Sequence, residues 1–186
     1  DKKFIVYISN SENSNNYLES YSEIDPQISG ILVTDSTQRN DSIYRFEGYV
    51  VYQLANKEVS VDELNDITKA RVVYQCDVKN NVSRIINFIY DDQLGFAVPT
   101  IMVEGADNGI KTTFEITQDA FTTTGDVRLV NHKTYYYMAI SYAYNNYMDY
   151  DIDENSPEAL FGQKTPYLAG RKNIRLYSAV PHSSVD

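Results

Sequence analysis

The chain has 186 residues, a formal net charge of −10 and a sequence pI near 4.6. An acidic chain repels phosphate groups, and its 16 Lys and Arg residues are scattered, so nucleic acid and anionic membrane surfaces are poor partners. The single cysteine, Cys76, excludes an internal disulfide and paired-cysteine zinc motifs. We expect one domain, residues 1–186, with elaborated loops and no membrane insertion.

The residue pattern is typical of an all-β protein. There are 17 Tyr, 7 Phe and no Trp, and short alternating runs separated by Asn, Asp, Gly and Ser recur along the chain in place of a helical period. The predicted strands, in chain order, are Lys3–Ser9, Phe46–Ala55, Ala70–Asp77, Val82–Tyr90, Val98–Glu104, Lys111–Thr117, Thr134–Tyr144 and Asn173–Val180.

Two local motifs refine this pattern. Ser60 and Glu63 have the spacing of a capping box, which predicts a short helix over residues 61–69. The polar residues 79–81 lie between two predicted strands and predict a hairpin that joins them.

Leu129 precedes Tyr135 by six residues, and an alternating strand follows. This segment resembles the turn into strand F of fibronectin type III domains, where a tyrosine-corner hydroxyl bonds back to the upstream backbone. Residues 48–52 resemble strand C of that family, and Lys3–Ser9 resembles strand B. The resemblance implies a fibronectin type III-like, Ig-like β-sandwich, although the family's strand B Trp and its strand A are not found.

Residues 3–16 and 44–182 are also similar to modules of large secreted or surface proteins of Bacteroidetes bacteria. That resemblance implies an extracellular structural or interaction module whose partners are neighbouring domains of a longer chain or other surface proteins. It brings no catalytic residue with it. The first residue, Asp1, is read as the start of a processed chain or of a domain cut from something longer.

The longest connections are the insertions 10–43 and 145–172. In a sandwich of this topology the B to C and F to G connections emerge at one end, so the two insertions are expected to meet there. Such loops carry function in many proteins, and they also serve as spacers against a neighbouring domain.

Two Asp-Ser/Thr-apolar triplets in the first insertion resemble the O-glycosylation acceptor that these bacteria use on exported proteins. They make Ser36 and Ser42 candidate glycosylation sites. The same pattern also arises by chance.

The second insertion carries carboxylates at alternate positions, which is the sharpest local signal in the chain. Oxygen ligands of this kind suit Ca²⁺, so the candidate ligands are Asp149, Asp151, Asp153 and Glu154. No glycine stands at the sixth position of an EF-hand, so further ligands would have to come from elsewhere. The alternative interpretation is a solvated acidic loop.

Tyrosines in and beside that insertion form the second candidate site. Rigid, amphipathic tyrosines suit a contact surface for a glycan or a protein, and the candidates are Tyr144, Tyr147, Tyr150 and Tyr167. The strand tyrosines Tyr135, Tyr137 and Tyr142 are assigned to the core or a sheet face instead.

Catalytic patterns are weak in this sequence. The only imidazoles, His132 and His182, are not placed beside a nucleophile by any recognisable spacing, and Cys76 falls in a predicted strand. Glycine-rich phosphate loops are absent as well. We therefore expect a protein that is not an enzyme and has no cofactor, with Ca²⁺ as the ion to test.

Overall fold

The computed structural model describes residues 2–28, 42–153, 155–156, 158 and 162–182. Within them the protein is all-β, and its named strands pair antiparallel, an architecture consistent with a β-sandwich. The strands are β1 (Phe4–Tyr7), β2 (Ser22–Ile24), β3 (Ile43–Leu54), β4 (Ala70–Asp77), β5 (Arg84–Asp91), β6 (Phe96–Glu104), β7 (Thr113–Ile116), β8 (Tyr135–Asn145), β9 (Tyr167–Ala169) and β10 (Tyr177–Ala179).

A six-stranded sheet forms the middle of the molecule. β3 and β8 lie side by side at its centre, in register from Tyr44 opposite Asn145 to Leu54 opposite Tyr136. β2 and then β4 pair along the other edge of β3, while β10 and then β9 pair along the other edge of β8. The central strands are dense in aromatic and β-branched residues because side chains on both of their faces are covered.

Each face of this central sheet carries a two-stranded layer. On one face, β1 and β7 cover a cluster that includes Leu129, Tyr135 and Tyr137. On the other face, the β5–β6 hairpin covers Val50 and Tyr142. Successive residues of β3 therefore enter two separate cores, as the period of two along a strand requires.

A register shift in the central sheet lies between Phe46 and Gly48. A Cβ atom at Gly48 would overlap the carbonyl oxygen of Cys76 and approach the Tyr142 hydroxyl to 2.6 Å. Only glycine fits here without moving a neighbouring strand.

The predicted tyrosine corner is confirmed. The backbone N–H of Val130 donates to the Tyr135 hydroxyl oxygen at 2.8 Å, and the Tyr135 side chain is buried. This bond fixes the turn that leads into β8.

The predicted capping box is also confirmed, but the helix of residues 61–69 is wrong. The N–H of Ser60 donates to the Glu63 carboxylate at 2.9 Å, and a single 3₁₀ turn follows over Val61–Glu63. The chain then turns at Asp66, whose carboxylate accepts the N–H of Thr68 at 2.9 Å. That side-chain bond offers the backbone an alternative to continuing the helix.

The predicted hairpin around residues 79–81 is wrong as well, because β4 pairs with β3 and β5 pairs with β6. Asn80 donates its side-chain N–H to Glu47 at 2.8 Å, and the backbone N–H groups of Asn80 and Asn81 reach Asp107. These bonds hold residues 79–81 in a connection that crosses from β4 in the central sheet to β5 in the outer layer. The other predicted strands occur with shifted bounds, most of all the last, where only Tyr177–Ala179 of the predicted Asn173–Val180 is a strand. The two insertions also contribute β2 and β9.

Candidate binding groove

A groove of about 1260 Å³ lies on the β1–β7 side of the central sheet. One wall is the edge of β1 that faces away from β7, the floor comes from β8 and β3, and the opposite wall comes from β9, β10 and their connection. Residues within 14–27 of the first insertion, among them Glu23 and Asp25, line one end. Pockets for small molecules hold about 300–1,000 Å³, so this groove is larger than such a site.

The β1 wall presents backbone groups that β7 does not use. The N–H of Ile8 donates to Thr112 across the pair at 2.8 Å, and bonding residues alternate along an antiparallel pair. Phe4 and Val6 therefore bond to β7, whereas Ile5 and Tyr7 direct their N–H and C=O groups to the outer edge. No strand among the described residues pairs with that edge.

The inward side chains of β1 are unusually open for a sandwich core. Phe4, Val6 and Ile8 face the central sheet, yet each is only partly buried. Core residues of the central strands reach 2–4% exposure, as for Val51 and Tyr49. The difference arises because the space beside β1 is the groove and not another strand.

The floor is built from small side chains. Ala139, Ser141 and Ala143 alternate along β8 on the face that β1 covers. Gly170 extends this floor: its N–H donates to the Ser141 carbonyl at 2.7 Å, and a Cβ on Gly170 would approach the Ser141 hydroxyl to 2.9 Å. Small residues on this face leave room for the side chains of another segment.

The wall opposite β1 is basic. The 21 residues from Gly162 to His182 contain four Lys or Arg residues and no acid, in a protein with 26 acids against 16 bases. Arg171, Lys172 and Arg175 lie in the connection from β9 to β10 and line the groove. In the described part of the chain none of these three forms an ion pair.

The two insertions meet at one end of the groove, as predicted. The buried carboxylate of Asp25 accepts the side-chain N–H groups of Asn145 at 3.2 Å and Gln163 at 2.5 Å. Nearby, the Tyr44 hydroxyl donates to the Thr165 carbonyl at 2.6 Å, and burial raises the pKa of Tyr44 to about 12. The insertions thus brace the end of the sandwich.

A second polar cluster lies on the β5–β6 side of the central sheet. Burial raises the pKa of Glu47 to about 7; the bond from Asn80 opposes this shift, and the charges of Asp77 and Asp107 add to it. The Asp77 carboxylate accepts the N–H of Asp107 at 3.0 Å. These bonds attach the chain segments just before β5 and just after β6 to the central sheet.

The predicted calcium ligands do not converge in the described residues. Asp149 sits at an isolated bridge with Gln163, and the exposed Asp151 and Asp153 each accept the backbone N–H two residues onward, at 2.9 and 3.0 Å. Hydrogen bonds from Asn155 lower the pKa of Asp153. Glu154 lies outside the described residues, and among those described no group of three metal-binding side chains occurs. Calcium binding stays a prediction.

The predicted contact tyrosines pack into the molecule and do not form one exposed surface. Tyr147 is buried, and Tyr144 packs against the cluster beneath the β5–β6 hairpin. The Tyr150 ring meets Phe88 edge to face at 4.7 Å. Tyr167 tilts against Tyr142 at 5.5 Å. These rings act as packing groups in the structure, and ligand contact by the four tyrosines stays a prediction.

Of the two predicted glycosylation sites, Ser36 lies outside the described residues. Ser42 is half-buried just before β3, and its carbonyl accepts the N–H of Asp25 at 2.7 Å. Modification of either serine stays a prediction.

Sequence reasoning missed the groove itself. Its signals were the unassigned strand A, the alternation of small residues in β8 and the acid-free run from Gly162 onward. None of them identifies a groove until β1 and β8 are placed face to face.

The chain matches no family model, and comparison with curated proteins and with solved structures finds no significant match. Within the described residues, no helix is long and apolar enough to span a membrane. The geometry of the groove is therefore the observation from which a function is inferred.

Proposed function

We propose that this chain is a non-catalytic, fibronectin type III-like interaction module of an extracellular protein. The strand pairing supports the fold: β1 pairs with β7 in one layer, while β3 lies between β4 and β8 in the other. An Ig-like sandwich divides its strands in this manner. The tyrosine corner at Tyr135 supports the same assignment, and the sequence resemblance supports the extracellular compartment.

The observation that carries the interaction role is the open groove. A scaffold closed on its other side brings together a strand edge that pairs with no other described strand, a floor of small side chains and a basic wall. Exposed apolar side chains occur at the groove as well, with Ile5 53% and Tyr177 57% exposed. Apolar surface combined with convergent polar groups is characteristic of protein-binding sites.

The two insertions have a supporting role in this proposal. Their hydrogen bonds through Asp25 and their packed tyrosines hold one end of the groove in place. Rigid surroundings reduce the ordering cost of binding, so the insertions favour recognition by holding the groove in shape.

The test is a selection of random displayed peptides against the full chain, with a glycan array in parallel. We expect selected peptides to shift the backbone NMR signals of β1, β9 and β10. Tyr177→Ala should weaken their binding by about tenfold, since its ring faces the groove. The matched control is Tyr90→Ala, at a similarly exposed tyrosine outside the groove, which should bind as the wild type does.

Selection of no peptide, or binding that maps to the outer face of the β5–β6 hairpin, would contradict the proposal. Glycan binding without peptide binding would replace it with a lectin function.

A further inference from the structure

We infer that the groove accepts an extended, acidic polypeptide segment of a partner protein, which adds as a strand to the outer edge of β1. This inference rests on the proposed interaction function and names the chemistry of the partner.

Backbone geometry is the first argument. Ile5 and Tyr7 each direct one N–H and one C=O group away from β7, as the register and the Ile8 to Thr112 bond require. An incoming strand would satisfy all four groups, and main-chain bonds of this kind supply affinity in strand-addition complexes.

The floor is the second argument. A strand beside β1 would point alternate side chains toward Ala139, Ser141 and Ala143. Its inward residues would fill the space over these small side chains and complete the cover of Phe4 and Val6, which are now only partly buried. Medium-sized apolar residues such as Val or Ile suit those positions.

The basic wall is the third argument, since its three cations outnumber the two acids that line the groove, Glu23 and Asp25. Gly170 bonds to Ser141 and Tyr177 pairs with Tyr137, so the connection between them passes the level of Ala139, half-way along the floor. Arg171, Lys172 and Arg175 thus stand across the groove from β1. Acidic residues of an added strand would meet them, and complementary charge raises both specificity and association rate.

Charge also argues against a second copy of this chain as the occupant. Residues 2–9 carry Lys2 and Lys3 and no acid, so β1 of a second copy would bring positive charge to the basic wall. The net charge of −10 on each chain adds a general repulsion between copies.

The first experiment measures charge selectivity. The probe is a fluorescent synthetic peptide of roughly nine residues that alternates Val with Glu and Thr. Its control replaces each Glu by Lys. We expect the acidic peptide to bind the full chain at least about tenfold more tightly at low salt, and the double variant Arg171→Glu, Arg175→Glu to reverse that order. Equal affinity for the two peptides would overturn the inference.

The second experiment tests the edge of β1. Tyr7→Pro removes one outward N–H without touching the bonds to β7, while Tyr7→Ala, the matched control, keeps that N–H. We expect the proline variant to lose about tenfold or more in affinity for the acidic peptide, and the alanine variant to keep most of it. If the proline variant does not fold, amide hydrogen exchange of the wild-type chain provides the test. The bound acidic peptide should slow exchange at the amides of Ile5 and Tyr7.

Three results would overturn strand addition by a partner. One is peptide binding without protection of Ile5 and Tyr7. Another is slow exchange of both amides in the free protein, which would mean that the edge is already covered. The third is a concentration-dependent dimer that Tyr7→Pro dissociates, which would make a second copy the occupant. If selected peptides bind in the groove away from the edge of β1, the interaction function holds and this inference fails; if no peptide binds, both fail.

Discussion

The two faces of the central sheet are covered by layers of the same kind, yet one face is closed and the other is open. Beneath the β5–β6 hairpin, Val50, Ile85, Val103 and Tyr142 are only 2–4% exposed. Beneath β1 and β7, the inward residues Phe4 and Val6 remain partly exposed and a groove runs alongside. A two-stranded layer therefore does not by itself decide whether a face is sealed.

Hydrogen bonds at the layer's edge account for the difference. On the closed side, Asn87 of β5 exchanges bonds with the backbone of Tyr167, at 2.9 and 3.3 Å, and the Phe88 N–H reaches the Lys164 carbonyl at 2.7 Å. The outer edge of β1 has no such strand beside it in the described residues. An edge strand whose backbone N–H and C=O groups are hydrogen-bonded packs against the sheet. An edge strand whose groups lack partners is available to another protein.

The largest expected effect comes from truncating one core residue on each side. Ile85→Ala should lower the free energy of unfolding by about 3 kcal/mol, because a fully buried side chain leaves a cavity in a tied layer. Val6→Ala should cost about 1 kcal/mol, since its side chain is only partly buried. Urea denaturation measures both. Equal losses would mean that the two faces are equally packed and would remove the contrast between them.

A smaller effect is expected at the tyrosine corner on the open side. Tyr135→Phe keeps the ring but leaves the N–H of Val130 without its acceptor, which should cost about 1–2 kcal/mol. Tyr90→Phe, at an exposed position, is the control and should leave stability unchanged. Thermal and urea unfolding of the two variants measure the difference in stability. No difference between the two variants would show that the corner bond does not anchor the turn into β8.

The smallest effect is a pH dependence on the closed side. The pKa of Glu47 rises from 4.5 to about 7 because burial disfavours its charged form. Its contribution to stability is complete below about pH 4.5 and is lost as the pH rises through 7. The expected loss is on the order of 1 kcal/mol.

The comparison for this pH effect is Glu47→Gln, which keeps an acceptor for Asn80 but does not titrate. The stability of wild type relative to this variant should fall between pH 4.5 and 8 in urea titrations. A constant difference across that range would mean that the Glu47 carboxylate is solvated. It would also mean that its hydrogen bonds do not hold the β5–β6 hairpin to the central sheet.

Much of the fold was accessible from sequence because the strands carry local signals. Alternating Tyr, Val and Ile located the central strands, and the spacing of Leu129 and Tyr135 predicted a specific hydrogen bond that the structure contains. Residues 61–69 were misjudged because the capping box reports how a helix begins, while Asp66 decides where this one ends. Strands β2 and β9 are three residues long, which is too short for an alternating residue pattern to predict them.

The candidate site was also predictable only in part. Sequence alone singled out the acids at Asp149, Asp151 and Asp153 and the nearby tyrosines because their residue types are conspicuous. Their surroundings, which sequence does not show, make Asp151 and Asp153 turn-capping groups and Tyr150 a packing group. The groove residues are ordinary by type, and only their meeting across two layers gives them a role.

The sequence by itself determined the strands, because the period of two and the preference for β-branched and aromatic residues are properties of consecutive positions. It also determined the acid-free run that becomes the basic wall. Tertiary structure decided which strands pair and which edge stays open, because those choices depend on contacts between residues far apart in the chain, as between Ile5 and Glu115 or Asp25 and Gln163.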